Sequence, residues 1–280
     1  MPAHLQDTVK LNNGVHIPWF GLGVWKVKEG DEVVLSVKNA IRHGYRSIDT
    51  AAAYQNEEGV GQGIAEALQE NNLKREELFI TTKVWNADQG YESTLQALET
   101  SLTKLGLDYV DLYLIHWPVK GKYKETWKAL EQLYKDGKAK AIGVCNFHVH
   151  HLEDLAEGSE ITPALNQVEL HPYLTQQELR EYCAKKGIQI EAWSPLAQGK
   201  IVEDKTIQAI GDKYGKSAAQ VVLRWDLQHG IVTIPKSVRE ERIVANADIF
   251  DFELTAEDVA AIDALNQDER TGPDPDNFNF

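Results

Sequence analysis

Val110–Trp117, VDLYLIHW, is the stretch on which the fold turns. Apolar side chains occupy six of its eight positions instead of alternating, the pattern of a strand buried on both faces. Such strands belong to parallel sheets covered by helices. Working outward, seven more β-rich runs recur at intervals of about 25 to 35 residues, the length of a βα unit. They are Arg46–Thr50, Leu78–Val84, Ala139–Asn146, Ala164–Leu170, Ile188–Ser194, Ile231–Lys236 and Ile249–Phe252. Amphipathic helical stretches lie between them: Glu58–Gln69, Tyr91–Leu105, Lys124–Lys135, Val149–Glu157, Gln176–Lys186, Ala218–Gln228 and Ala256–Leu265. Eight strands with a helix after each predict a closed α/β barrel, the (β/α)8 TIM fold. Thr8–Val24, with Asn13-Gly14 at its turn, predicts an N-terminal β-hairpin. A second helical stretch, Asp204–Lys213, predicts a long crossover after the sixth strand. The alternative is a doubly wound sheet, disfavoured because no strand leads into G-x-G-x-x-G; Gly59, Gly61 and Gly63 have the wrong spacing and mark a helix start.

The 280 residues form one domain on this reading, with the hairpin at about 8–24 and a polar tail at about 267–280. Hydrophobic residues make up 42% and charged residues 26%, the profile of a folded soluble chain. No apolar run approaches a membrane span and the N-terminus has no secretory pattern, so a cytoplasmic protein with no membrane partner is expected. Lys and Arg total 29 against 43 Asp and Glu, a formal charge of −14 that repels nucleic acid. Cys145 and Cys183 are too few for a disulfide framework.

Chemistry in such a barrel sits at the C-terminal ends of the strands. Those positions offer Asp49, Tyr54, Lys83, Trp85, His116 and Trp117 from the first three strands. The next four offer Cys145, Asn146, Gln167, Trp193, Ser194, Lys236 and Ser237. Tyr54, with a reference pKa of about 10, needs a cation to serve as an acid, and Lys83 supplies one that Asp49 keeps charged. His116 adds a donor for a substrate oxygen. Each of these four has a packing explanation when taken singly; four such accidents at one barrel mouth do not combine easily. Lys236, Ser237, Arg239 and Arg242 at a helix start suit a phosphate, although a solvated helix start fits them equally. Trp193 offers an aromatic face. His148, His150 and His151 lack a carboxylate or cysteine to complete a metal set, and no metal site is expected. Hydrolase and P-loop motifs are absent.

RSIDTAAAYQNEEGVG, LFITTKVW, LDYVDLYLIHWP, AIGVCNF, LNQVELHPY, EAWSPLAQG and TIPKSVREERIVAN together resemble the aldo-keto reductase family, in order and across nearly the whole chain. Its small bacterial reductases of glyoxal, methylglyoxal and diketogluconate are the nearest in pattern. The resemblance implies NADPH-dependent reduction of a small carbonyl substrate by a monomer, with Tyr54 as acid beside Lys83, Asp49 and His116. It further implies nicotinamide contacts from Asn146 and Gln167, with the ring on Trp193 and the pyrophosphate along Ser194, Pro195 and Leu196. Lys236, Ser237, Val238 and Arg242 would take the 2′-phosphate and Asn246 the adenine. Cys145 stands where the family usually has Ser, a better hydrogen-bonding group. Trp25, Trp85 and Trp117, with His116, would wall the substrate pocket. A non-catalytic NADPH sensor on the same fold, or a barrel lyase without nicotinamide, are the competing functions.

Overall fold

The strand that decides the fold is β6, Val110–Ile115, and all six of its residues are buried in the computed structural model, which describes residues 1–280. It lies parallel to β5, Phe79–Val84, and to β7, Ala139–Cys145. The parallel sheet continues through β4 (Ser47–Asp49) to β3 (Leu22–Gly23) on one side. On the other side it runs through β8 (Leu165–Glu169) and β9 (Gln189–Trp193) to β10 (Val232–Thr233). Bridges Phe20–Thr233 and Gly23–Lys236, with Gly21 N donating to the Thr233 carbonyl at 3.1 Å, join the two ends and close the ring. A side chain on Gly23 would put its Cβ 2.8 Å from the Ile234 carbonyl oxygen, so the seam requires glycine there.

Two readings need correction. Ile249–Phe252 is not a strand; the eighth place belongs to β3, which the sequence suggested was the return arm of the hairpin. The physical cause is visible in the partners. Arg224 donates to the Ile249 carbonyl and Gln220 to that of Asp248, so side chains of a helix, not a neighbouring strand, take this backbone. The hairpin is correspondingly shorter, β1 (Thr8–Lys10) against β2 (His16–Pro18). Its Leu11 and Ile17 join Phe79, Leu112, Leu114, Ala141, Leu165 and Val232 in a separate cluster of 10 buried residues that plugs the barrel's N-terminal end.

Helices α1 (Asp31–Arg42), α2 (Glu57–Glu70), α3 (Tyr91–Leu105), α4 (Tyr123–Lys135), α5 (Val149–Ala156) and α6 (Gln177–Lys186) follow β3 to β8 in turn. Helices α7 (Lys205–Tyr214) and α8 (Ala218–Gln228) form the long crossover between β9 and β10, and α9 (Glu240–Ala247) and α10 (Ala256–Asp263) end the chain's helical part. The sequence reading missed α1 and gave only the start of α9. Gly59, Gly61 and Gly63 lie inside α2, where they are contacts. A Cβ on Gly59 would sit 2.4 Å from Val33 of α1, and one on Gly61 2.3 Å from the Leu105 carbonyl oxygen. No helix is long and apolar enough to cross a membrane.

Candidate active site

Strand alternation decides which side chains enter the barrel. On β6, Leu112 and Leu114 face the inner plug while Tyr113 and Ile115 pack outward under the helices. The same parity sends Asp49, Lys83, Cys145, Gln167 and Glu191 inward, above the apolar plug, and His116 follows on the residue after β6. All six are buried. Lys83 is 0% exposed, and its three ammonium protons meet three acceptors: Asp49 Oδ1 at 2.6 Å, the Thr50 carbonyl at 2.9 Å and the Tyr54 hydroxyl at 3.3 Å. Tyr54 closes a one-turn 3-10 helix, Ala52–Tyr54, on the loop after β4. His116 meets its ring edge-on with centroids 5.7 Å apart, and His116 Nδ1 has no hydrogen-bond partner.

Burial opposes the Lys83 charge, but Asp49, seconded by Tyr54 and Cys145, outweighs it and holds the ammonium above its ordinary range. Burial pushes the Tyr54 phenol up, and the lysine charge pulls it down without cancelling that effect. The expected acidifying role of Lys83 is therefore real but not dominant here. Tyr54 is a protonated phenol near neutrality. Burial, reinforced by the Lys83 charge, holds His116 well below its ordinary range, so it is a neutral imidazole.

Sequence reasoning missed Glu191. Gln167 Nε2 donates to Asp49 Oδ2 at 2.7 Å and to Glu191 Oε1 at 2.9 Å, so one amide ties the two carboxylates together. Burial first, then the Asp49 charge, pushes the Glu191 carboxyl up to about 8. The available signal was its inward register, two residues before Trp193. Cys145 Sγ donates to Gln167 Oε1 at 3.4 Å, and burial holds its thiol well above the usual range.

A cleft of about 1560 Å³ opens above this layer. Among the sequence-predicted residues it is lined by Asp49, Tyr54, His116, Cys145, Asn146, Gln167, Trp193, Ser194, Pro195 and Leu196, by Lys236, Arg242 and Asn246, and by Trp25, Trp85 and Trp117. Lys83 sits behind Tyr54. Ser237 and Val238 do not line the cleft, and the Ser237 hydroxyl is engaged with the Arg239 backbone. Trp193 Nε1 donates to Asn146 Oδ1 at 2.8 Å, and Asn146 Nδ2 donates to the His116 carbonyl at 3.0 Å. Asn146, Ser194, Ala197 and Gln198 all have positive φ, strain of the kind that gathers where a ligand is clamped. Lys236 and Arg242 are exposed and form no side-chain hydrogen bond or ion pair, leaving two free cations at one end of the cleft. That donor set fits a phosphate.

The C-terminal segment crosses the opposite end. Glu169 accepts from Thr271 N and Oγ1, both at 2.6 Å, and from Gly272 N at 3.1 Å. Phe280 stacks on Trp85 at 5.8 Å and meets Trp117 edge-on at 5.2 Å, and Phe278 packs 5.2 Å from Trp117. The segment also brings Asp274 and Asp276 to His148, His150 and His151, which the sequence reading had left without a carboxylate.

The family model for the aldo/keto reductase family matches residues 20–267. Glyoxal reductase of Bacillus subtilis (strain 168) is 65% identical over 280 residues, spanning 100% of both chains. Methylglyoxal reductase DkgA of Escherichia coli (strain K12) is 50% identical over 274 residues, covering 96% of this chain and 97% of its own. The crystal structure of a Bombyx mori aldo-keto reductase in complex with NADP superimposes with a TM-score of 0.91 at 41% identity, covering 98% of this chain and 97% of that one.

Proposed function

The chain belongs to the aldo/keto reductase family, and on that premise we propose that it reduces aldehydes and dicarbonyls of the glyoxal and methylglyoxal type to alcohols, with NADPH as reductant and Tyr54 as proton donor. The observation that carries this reading is the buried Asp49–Lys83–Tyr54 chain, which reaches the cleft that also holds the unpaired Lys236 and Arg242. A volume of about 1560 Å³ exceeds the ~300–1,000 Å³ of an ordinary small-molecule site, and so has room for a dinucleotide beside a small substrate.

Asn146, Gln167 and Cys145 would hold the nicotinamide carboxamide and Trp193 the ring. Ser194, Pro195 and Leu196 would follow the pyrophosphate, Lys236 and Arg242 would take the 2′-phosphate, and Asn246 the adenine. When bound, NADPH would be the source of the hydride that the carbonyl carbon receives. Tyr54 gives its proton to the carbonyl oxygen as negative charge develops there. Lys83 has no donor left for substrate and so acts through Tyr54. At 3.3 Å from the hydroxyl its charge stabilises the resulting phenolate by about 4–5 kcal/mol at an effective dielectric of ~20. His116, neutral, orients the carbonyl oxygen by hydrogen bonding without competing as an acid. Trp25, Trp85 and Trp117 confine the substrate to that geometry.

The test is NADPH oxidation with a panel of glyoxal, methylglyoxal and a keto sugar. Carbonyl-dependent turnover with the highest kcat/KM for the dicarbonyls is expected. Tight NADPH binding without turnover of any carbonyl would instead make the protein a non-catalytic binder.

A further inference from the structure

The histidines at the start of α5 meet aspartates far along the chain, His148 and Asp274 being 126 residues apart. His150 Nε2 is 2.8 Å and His151 Nε2 3.3 Å from Asp276 Oδ1. On the other side, His148 Nε2 is 3.4 Å from Asp274 Oδ1 and 3.7 Å from Asp276 Oδ2. Asp276 therefore offers one oxygen to each half of the cluster. Neither aspartate pairs with a lysine or arginine.

Three of these four separations are longer than the ~2.9 Å of a good N–H···O hydrogen bond. They match something else. Zinc with four ligands at ~2.0–2.1 Å in a tetrahedron sets neighbouring ligand atoms about 3.3 Å apart. Two overlapping groups, His150–His151–Asp276 and His148–Asp274–Asp276, each keep their ligand atoms within 4.8 Å of one another. The tautomers sort the ligands. His151 Nδ1 accepts the His148 backbone N–H at 3.1 Å, so its neutral ring carries the proton on Nε2 and donates towards Asp276. It orients the carboxylate and is not itself a ligand, an arrangement common around metal sites. His150, 2.8 Å from the same Asp276 oxygen, is likewise at hydrogen-bond distance from the carboxylate. The second group remains, one imidazole nitrogen and two carboxylates with a fourth position for water, a set of mixed N and O donors that suits a transition dication better than magnesium or calcium.

We propose that His148, Asp274 and Asp276 bind a divalent ion of the zinc class, which clips the C-terminal segment to the start of α5. Phe278 and Phe280 continue from that clip onto Trp117 and Trp85. The ion would therefore fasten one wall of the cleft.

The full chain, free of any histidine tag and stripped with a chelator, is titrated calorimetrically with Zn²⁺, with Mg²⁺ as control. One equivalent of Zn²⁺ is expected to bind with a Kd of low micromolar or better, with a change in tryptophan fluorescence as the Trp85 and Trp117 contacts tighten. Asp274 is 52% exposed, so Asp274→Asn preserves the fold, and it should weaken Zn²⁺ by about tenfold or more. Asp276→Asn should weaken it at least as much. Failure to detect a single saturable Zn²⁺ site overturns the proposal. So does binding that both variants leave unchanged.

Discussion

The barrel interior and the cationic end of the cleft are built on opposite plans. Inside, Lys83, Asp49, Gln167 and Glu191 are buried and satisfy one another, and every proton of the Lys83 ammonium has an acceptor in the protein. At the other end Lys236 and Arg242 stand in solvent with no protein partner. The interior is complete before any ligand arrives; the outer end is completed only by one. Breaking a buried pair leaves an uncompensated charge, at about 3–5 kcal/mol, whereas an exposed cation is worth little until it finds a partner. The interior should therefore govern chemistry and stability, and the outer end cofactor choice alone.

The strongest way to break this contrast is Tyr54→Phe. It keeps the ring and its packing, so the chain should fold and bind NADPH as before, while single-turnover carbonyl reduction falls by at least ~100-fold, the low end for a positioned acid. Near-native single-turnover reduction would move the acid to His116. At the outer end, Lys236→Met and Arg242→Met should each weaken NADPH about tenfold, the low end for charge-assisted contacts because both side chains are exposed. NADH affinity and thermal stability should stay put, and the NADPH preference should shrink with added salt. Equal losses for both cofactors in a binding titration would remove the 2′-phosphate assignment.

A third test sharpens the picture of the interior. Glu191 titrates at about 8 in the fold, against ~4.3 for an unperturbed glutamate. Between those values the folded chain keeps a proton that the unfolded chain has released. Rising pH therefore destabilises the fold across that window, by up to about 1.4 kcal/mol per pH unit. Glu191→Gln keeps an acceptor for Gln167 and removes the slope. Denaturant midpoints should coincide with those of the native chain near pH 4 and exceed them increasingly towards pH 8. Parallel curves would mean that Glu191 is already ionised.

Much of this was readable from the residues in order. Buried strands such as VDLYLIHW declared a parallel barrel, and their ends yielded Asp49, Tyr54, Lys83 and His116, because strand parity is a local property. What escaped depends on partners distant in sequence. Leu22–Gly23 is only two residues long and becomes a strand because it pairs with Ile48 and Asp49 of β4 and Gly23 N donates to the Pro235 carbonyl. Ile249–Phe252 has strand-like side chains, but Arg224 and Gln220 capture the carbonyls at its start. Glu191 has meaning only once Gln167 links it to Asp49. Asp274 and Asp276 lie in a polar tail with no periodicity, and only the fold brings them to the histidines.

The ring is fastened unevenly. Between β3 and β10 the joint consists of a few backbone hydrogen bonds across strands two residues long, while β5 and β6 are each six. Gly23 and Lys236, which pair across that joint, both line the cleft. A molecule lying in the cleft thus rests on the barrel's own clasp. Breathing of the empty protein should concentrate at this clasp, since short ladders open first, and occupancy would stitch it shut. The catalytic layer needs less such help, because its ion pair and amide bridge span the interior from β4 and β5 to β8 and β9. Cofactor exchange and rigidity of the scaffold are then two readings of a single event, the parting and rejoining of one seam.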